Sequence, residues 1–397
     1  MNYTKGSALE GIKVLDLGRV IAAPFAAAIL ADMGAEVIKV EQPGTGDNAR
    51  DNLPTKEGES TYFMNFNRSK KGITLDLKKG KEIFYKMVEQ ADIILENFRP
   101  GVMEKLGYNY EELKKINPKI IYAAVSGFGQ YGPYKNRAGY DPLAQAMSGI
   151  MSVTGTPDGT PVRAGASIAD ILAGQNAVIG ILAALHHREQ TGEGQMIDVA
   201  LLDSAIVSLA SVSQVYLTDH HNVPERRGNG YVAGAPGGAY KCLDGYAVFL
   251  ALGEKAWIKI TEIMNKEHLR DDDKFKSNVD RVANYKELDE IVSEWTADKK
   301  VDEVVQLLLN SGLPAGPILD MDQVYNDPHV QEREMFTTIH HPIVGDVEIT
   351  NQGFKMSKTS PYVRGSSPLL GEHTLEVLKE FGFTSGEIDL FRENGII

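Results

Sequence analysis

The chain has 397 residues, 43% hydrophobic and 24% charged, with a formal net charge of −13. This is ordinary globular composition, and at roughly 100–200 residues per domain it points to two or three domains. The acidic balance argues against broad nucleic-acid or anionic-membrane binding, and the single cysteine, Cys242, excludes an internal disulfide framework and a cysteine-based zinc cluster.

The opening MNYTKGSALEG has no apolar signal core. No uncharged apolar run reaches the roughly 18–20 residues of a membrane span, so a cytoplasmic protein without membrane contact is expected. Ile12–Leu17 (IKVLDL) reads as a buried strand, Pro24–Met33 as a helix and Glu36–Glu41 (EVIKVE) as a second strand. Strands at Ile73–Leu77 and Ile93–Phe98 flank a helix over Gly80–Gln90. Two short helices start at Gly101 and Tyr110, and Lys119–Val125 is another strand. Alternating strands and helices imply an α/β fold with a parallel, doubly wound sheet. The first strand-to-helix turn, DLGRVIAAP, has one glycine, so the dinucleotide fingerprint is absent. Gly127–Gly165 reads as site-forming loops. Ile171–His187 is a strong helix, Thr191–Gln195 a turn and Met196–Ala200 a buried element, and Val199–Leu217 reads as one long apolar helix. His221–Gly238 is a loop and a boundary. Ala239–Leu252 reads as a hairpin around Asp244-Gly245, charged helices follow to about Leu309, Ile343–Lys358 looks like strands, and Glu372–Glu380 like a late helix.

Asp170 is the one carboxylate in RAGASIADILAG. It reads either as half of a capping box with Ser167, suited to a helix N-terminus, or as a nucleophile. NRSKK (Asn67–Lys71) is a solvated turn or a cationic claw on phosphates. ENFRPG follows a strand and opens a helix, a place that favours anions, where Arg99, Lys105 and Arg137 are candidate partners. Gly237-Gly238 exposes N–H groups to an oxyanion or makes a turn. His186-His187 suits a helix C-terminus, His340-His341 reads as a loop pair, and no histidine or cysteine spacing supports a metal site.

Several motifs in order then resemble one family: LEGIKVLDLGRVIAAPFAA, GAEVIKVEQPG, FNRSKKGITLDLK, ENFRPGVMEKLG, YAAVSGFGQYGP, RAGYDPLAQAMSG, TGEGQMIDVALLDS, GLPAGPILDMDQV and PLLGEHT. Together they resemble the family III CoA-transferases, among them formyl-CoA:oxalate and carnitine CoA-transferases, with α-methylacyl-CoA racemases as relatives. The resemblance implies that Asp170 is the nucleophilic aspartate, carrying CoA as an aspartyl thioester, with Gly237 and Gly238 beside the oxyanion. It implies acyl-CoA as substrate, with no prosthetic group. The matching CoA-contact positions are Ile21, Ala22, Leu75, Lys78, Asn97, Phe98, Lys105, Arg137 and Tyr140. Two positions depart from the formyl-CoA enzymes, Ile21 for Gln and Gln42 for an adenine-side Arg. Racemases read AGHD where this chain has AGYD, and the Tyr140 phenol is a poor proton shuttle near neutral pH. That favours a transferase over a racemase-like epimerase or a non-catalytic CoA-binding protein.

RAGYD and PVRAG resemble the succinyl-CoA-dependent dicarboxylate branch. Arg163 then either pairs with a distal carboxylate or makes a structural salt bridge. The implied architecture is an interlocked homodimer. A large Rossmann-like domain comprises residues 1–225 and a returning segment 326–397, and a smaller α+β domain spans 226–325.

Overall fold

A computed structural model describes residues 4–231 and 233–397. Six short apolar runs form its central sheet: β1 (Lys13–Asp16), β2 (Glu36–Glu41), β3 (Lys71–Thr74), β4 (Ile93–Glu96), β5 (Ile121–Ser126) and β6 (Met196–Ala200). Every pairing is parallel, in the order β3-β2-β1-β4-β5-β6. Val14 sits between Val37 and Ile93. Strands covered on both faces must be apolar throughout, which is why these segments read as continuous hydrophobic runs.

The helices that matter for the site are α1 (Ala22–Asp32), α2 (Thr61–Asn67), α3 (Lys81–Val88), α4 (Asp141–Ser148), α5 (Ile168–Thr191) and α6 (Leu201–Ser208). Helix α5 is long and apolar enough, by length and composition, to cross a membrane, although Asp170, Arg188 and Glu189 keep its uncharged run shorter than a span, as expected. Its Ala173, Ala177, Ile181 and Ala184 are buried within the fold, where small side chains let the helix lie close to α1 and the sheet. The long helix expected over Val199–Leu217 does not form. The strand runs to Ala200, α6 ends at Ser208, and a new helix starts at Ser211, after Ala210 with φ +43°.

The chain divides into two compact units. Unit 1 runs to Ser148 and adds Gly165–Ser208 and Pro328–Ile397; unit 2 comprises Gly149–Ala164 and Leu209–Asp327. The division differs from the expected one in two ways: unit 2 borrows the short excursion Gly149–Ala164, and it begins at Leu209 rather than at residue 226. The core of unit 1 joins Leu15, Ile38, Ile73 and Ile94 of the sheet to Val377, Leu378 and Ile388 of the C-terminal segment. Unit 2 carries an antiparallel sheet of β7 (Gly237–Lys241), β8 (Tyr246–Leu250) and β9 (Ala315–Pro317). Its core gathers Tyr240, Phe249, Trp257, Phe275 and Leu308. Within unit 1, Phe336–His341 and Gly345–Thr350 form a hairpin, so His340-His341 ends a strand rather than sitting in a loop.

Candidate active site

Asp170 is the third residue of α5. A helix start leaves N–H groups without intrahelical partners. Ser167 occupies the N-cap but its side chain makes no capping bond. The capping box predicted for Ser167 and Asp170 is therefore not formed. A second carboxylate takes that role: Asp141, the first residue of α4, accepts from the Ala169 N–H at 2.8 Å. Its other oxygen accepts from Gln145 Nε2 at 2.7 Å, one turn further along α4. The same amide reaches the Ala166 carbonyl at 3.3 Å. Asp141 is 4% exposed. The start of α5 is thus held by α4, and Asp170 is released from capping.

Residues 167, 170, 171 and 174 share one face of α5. At Gly174 a Cβ would stand 2.8 Å from the Ala22 carbonyl oxygen and 3.0 Å from the Phe25 ring, so only glycine lets this face rest on the start of α1. The loop entering α1 is itself fixed from below. Val20 has φ +64°, unfavourable for a β-branched residue, and its N–H donates to Asp47 at 3.1 Å. Asp47 also takes the Lys39 ammonium at 2.9 Å, and Lys39 reaches the Gly18 carbonyl at 2.8 Å. Lys39 and Asp47 are buried. Ile21 and Ala22 are in this way held against the Asp170 face.

Burial pushes the Asp170 carboxyl up to about 7, and the Asp141 charge pushes in the same direction. The direction is opposite to the expectation that the helix N-terminus keeps Asp170 ionised, and one donor of that terminus, the Ala169 N–H, is taken by Asp141. Tyr62 stands nearby on α2. Burial, then the charges of Asp170 and Asp47, push its phenol up to about 12, so it remains a neutral hydrogen-bond donor. Between α2, the α1 entry and α5 lies a cavity of about 420 Å³, lined by Ile21, Tyr62, Asn65, Phe66, Ser167 and Ile171 among others. A carboxylate with few solvent contacts, on the helix face that lines a mostly apolar cavity, is equipped in its ionised form for attack on an electrophilic carbonyl.

The remaining candidates of unit 1 gather beyond the carboxyl ends of the strands, where open α/β sheets place ligands. Leu75 and Lys78 follow β3, the first buried and the second exposed. Asn97 and Phe98 follow β4, Lys105 lies in the next helix, and Arg137 and Tyr140 lie beyond β5. Lys105, Arg137 and Tyr140 are exposed. Asn97 accepts from the Arg19 N–H at 2.7 Å and donates to the Arg19 carbonyl at 2.8 Å, which ties the loops after β1 and β4 together. Gln42 hydrogen-bonds Asp76 in the same region.

Both readings of NRSKK are overturned. Asn67, Arg68 and Lys70 are buried. Arg68 pairs with Asp32 at 2.7 Å, and Lys70 pairs with Asp16 at 2.7 Å while also bonding the Pro24 carbonyl and Asn67. Lys71 alone reaches the surface, held by Glu36, Glu376 and Glu380. These cations brace α1 from within and face no phosphate.

In unit 2, Gly237-Gly238 is not a turn but the start of β7, paired with Leu250 and Phe249. Ala251 donates to the Pro236 carbonyl, so by the alternation of an antiparallel ladder the Gly238 N–H points into the sheet. By the same alternation the Gly237 N–H faces away from β8, so of the two proposed oxyanion donors the ladder takes up only Gly238. The loop before them is clamped: buried Arg281 bonds the Ala235 carbonyl at 3.0 Å, and Asn278 the Ala233 carbonyl at 3.1 Å. Arg163 Nη1 donates to the Ala164 carbonyl at 3.0 Å.

Asp141, which holds the start of α5 beside Asp170, is the site residue that the sequence alone did not single out. Its signal lay in RAGYD, where the tyrosine drew the comparison with racemases and the aspartate beside it did not.

Comparison with known proteins follows this geometry. A succinyl-CoA:glutarate CoA-transferase of Mus musculus is 39% identical over 98% of this chain and 90% of its own length. A succinyl-CoA:mesaconate CoA-transferase of Haloarcula hispanica is 37% identical over 96% of this chain and 98% of its own. A CAIB/BAIF family protein from Brucella suis, known as a crystal structure, superposes with a TM-score of 0.84 at 36% identity, covering 95% of this chain and all of its own. The pattern of CoA-transferase family III matches residues 9–374, from before β1 into the C-terminal segment, and the chain belongs to that family.

Proposed function

We propose that the protein moves CoA from an acyl-CoA, with succinyl-CoA as donor, to a dicarboxylic acid, through a CoA thioester on Asp170. The observation that carries this reading is a half-buried carboxylate that caps nothing, on the face of α5 whose Ser167 and Ile171 line an apolar cavity. The Asp170 carboxylate attacks the thioester carbonyl and expels CoA thiolate, leaving a mixed anhydride. The thiolate then attacks the Asp170 carbonyl, releasing the donor acid and leaving aspartyl-CoA. The acceptor carboxylate attacks that thioester, and the returning thiolate takes the acceptor's acyl group from the second anhydride. Charge balances at every step, and Asp170 ends as a free carboxylate.

Ile21, Ala22, Leu75, Lys78, Asn97, Phe98, Lys105, Arg137 and Tyr140 are proposed to line the path of CoA. Their common position past the carboxyl ends of the strands supports this. A contribution from Gly238 to an oxyanion requires β7 to release that N–H from the ladder, whereas the Gly237 N–H already faces away from β8. The expected homodimer is supported by apolar side chains left exposed on α4, α5 and α6, which pack on one another: Leu143, Met147, Ile179, Ile206 and Val207. A second copy of the chain covering them fits the rule that large exposed apolar faces mark interfaces. The cytoplasm remains the proposed compartment.

The test is transfer itself. Wild-type protein given succinyl-CoA and isotopically labelled glutarate should yield labelled glutaryl-CoA, and Asp170→Asn should yield none. Transfer by Asp170→Asn at the wild-type rate would defeat the reading.

A further inference from the structure

Three walls of the cavity that Ser167 and Ile171 line, on the face of α5 that also carries Asp170, are apolar. Ile21 comes from the α1 entry, Phe66 from α2 and Ile171 from α5. Four cations packed on the elements that carry these walls are committed to carboxylates: Lys39 to Asp47, Lys70 to Asp16, Arg50 to Glu41 and Arg68 to Asp32. The polar groups that line the cavity are uncharged: Thr61, Tyr62, Asn65 and Ser167. Asn65 accepts both the N–H and the hydroxyl of Thr350 on its Oδ1, at 3.2 and 3.0 Å, which fixes its amide and leaves its NH2 as a donor. Tyr62 supplies a neutral hydroxyl in the same cavity. The cavity therefore offers an apolar surface on the nucleophile's face of α5 and neutral donors elsewhere on its wall.

We propose that this cavity seats the carbon chain of the acceptor acid, and that Ile21 is the residue that selects acids with methylene groups between their carboxylates and rejects oxalate. The proposal rests on Asp170 as the CoA carrier.

The physical reason is the spacing of charge. In oxalate the second carboxylate lies one C–C bond from the reacting one. With the first at the Asp170 carbonyl, the second is pressed among the Ile21, Phe66 and Ile171 side chains, desolvated and unpaired. In glutarate those positions are methylenes, which gain by leaving water. Its far carboxylate reaches further along the wall, where Asn65 and Tyr62 donate.

The experiment measures kcat/KM for glutarate, oxalate and adipate with succinyl-CoA as donor. It uses the full-length wild type, Ile21→Gln and Ile21→Ala, each checked for folding by its melting curve. The readout is the ratio between acids within one variant, so a general loss of activity cancels. Wild type should prefer glutarate to oxalate. Ile21→Gln should lower the glutarate-to-oxalate ratio about tenfold or more, the scale on which an apolar pocket discriminates. Ile21→Ala, which lengthens the cavity, should raise adipate relative to glutarate. A wild-type preference for oxalate, or ratios that neither variant moves, overturns the proposal while the transferase reading stands. Failure of that reading appears separately, as no CoA ester on Asp170 with any donor. In that event calorimetric binding of glutarate decides: about tenfold weaker binding to Ile21→Gln upholds the cavity as an acid site, and equal or absent binding overturns it.

Discussion

Unit 1 holds two kinds of aspartate withdrawn from solvent, one buried and one half-buried. Beneath α1, Asp16, Asp32 and Asp47 each face a cation, Lys70, Arg68 and Lys39 respectively, at 2.7–2.9 Å. At the start of α5, Asp170 faces another acid, Asp141, and no ion pair with it occurs among the described residues. The first set braces the loop and helix that form the site. The second is left with an unbalanced charge, which is the basis for proposing it as the nucleophile. Residue type is the same in both, so function is decided by the partner.

The largest expected effect separates the two sets on activity. Asp170→Asn should lower transfer by about 10⁴-fold or more, the scale on which loss of a nucleophile acts, in a steady-state assay. It should not lower the melting temperature. Raising a carboxyl above its unfolded value of about 3.9 means the folded state holds the proton more tightly. That contribution is complete at low pH and is lost as pH rises through about 7. Asp170→Asn should therefore gain stability relative to wild type as pH rises over that window. A destabilised variant at pH 8 would place Asp170 with the bracing set.

The opposite pattern is expected for Asp32→Ala. Arg68 would be left buried without its partner, a loss of about 3–5 kcal/mol by denaturant titration. Asp141 lies between the two classes. Asp141→Ala should cost about 1 kcal/mol through the lost cap on Ala169. Asp141→Asn keeps an oxygen for that N–H and removes the charge. The smallest effect is therefore a shift in a profile. In wild type the rate of Asp170 acylation should rise through about pH 7 to a plateau, and in Asp141→Asn the midpoint should move to lower pH. An unmoved midpoint would show that the Asp141 charge does not reach the nucleophile.

The two regions also differ in how far they were legible. The sheet strands could be read because burial on both faces forces continuous apolar runs, as in Ile93–Glu96. Asp170 could be read because a lone acid in an apolar helix start is conspicuous, and the family motifs assigned its role. The bracing pairs could not. Lys70 and Asp16 are 54 residues apart, and Arg68 and Asp32 are 36 apart. Nothing local distinguishes a buried cation from a solvated one, so NRSKK read as surface. The cap on α5 was misread for the same reason: Ser167 and Asp170 have the right spacing, but Asp141 arrives from 28 residues upstream of Ala169. The Gly237-Gly238 pair shows that two glycines also fit a strand when a close partner, here the Asn229 carbonyl about 3.1 Å from where a Gly238 Cβ would stand, leaves no room for a side chain.

The central claim is that Asp170 carries CoA. The most direct measurement is to incubate the protein with succinyl-CoA, quench with hydroxylamine and locate the modification by peptide mass spectrometry. A hydroxamate on Asp170, absent when glutarate is added in excess before the quench with CoA chased onto the acid, is the predicted result. An unmodified Asp170 in protein that is turning over succinyl-CoA, or a hydroxamate on another carboxylate, would contradict the account.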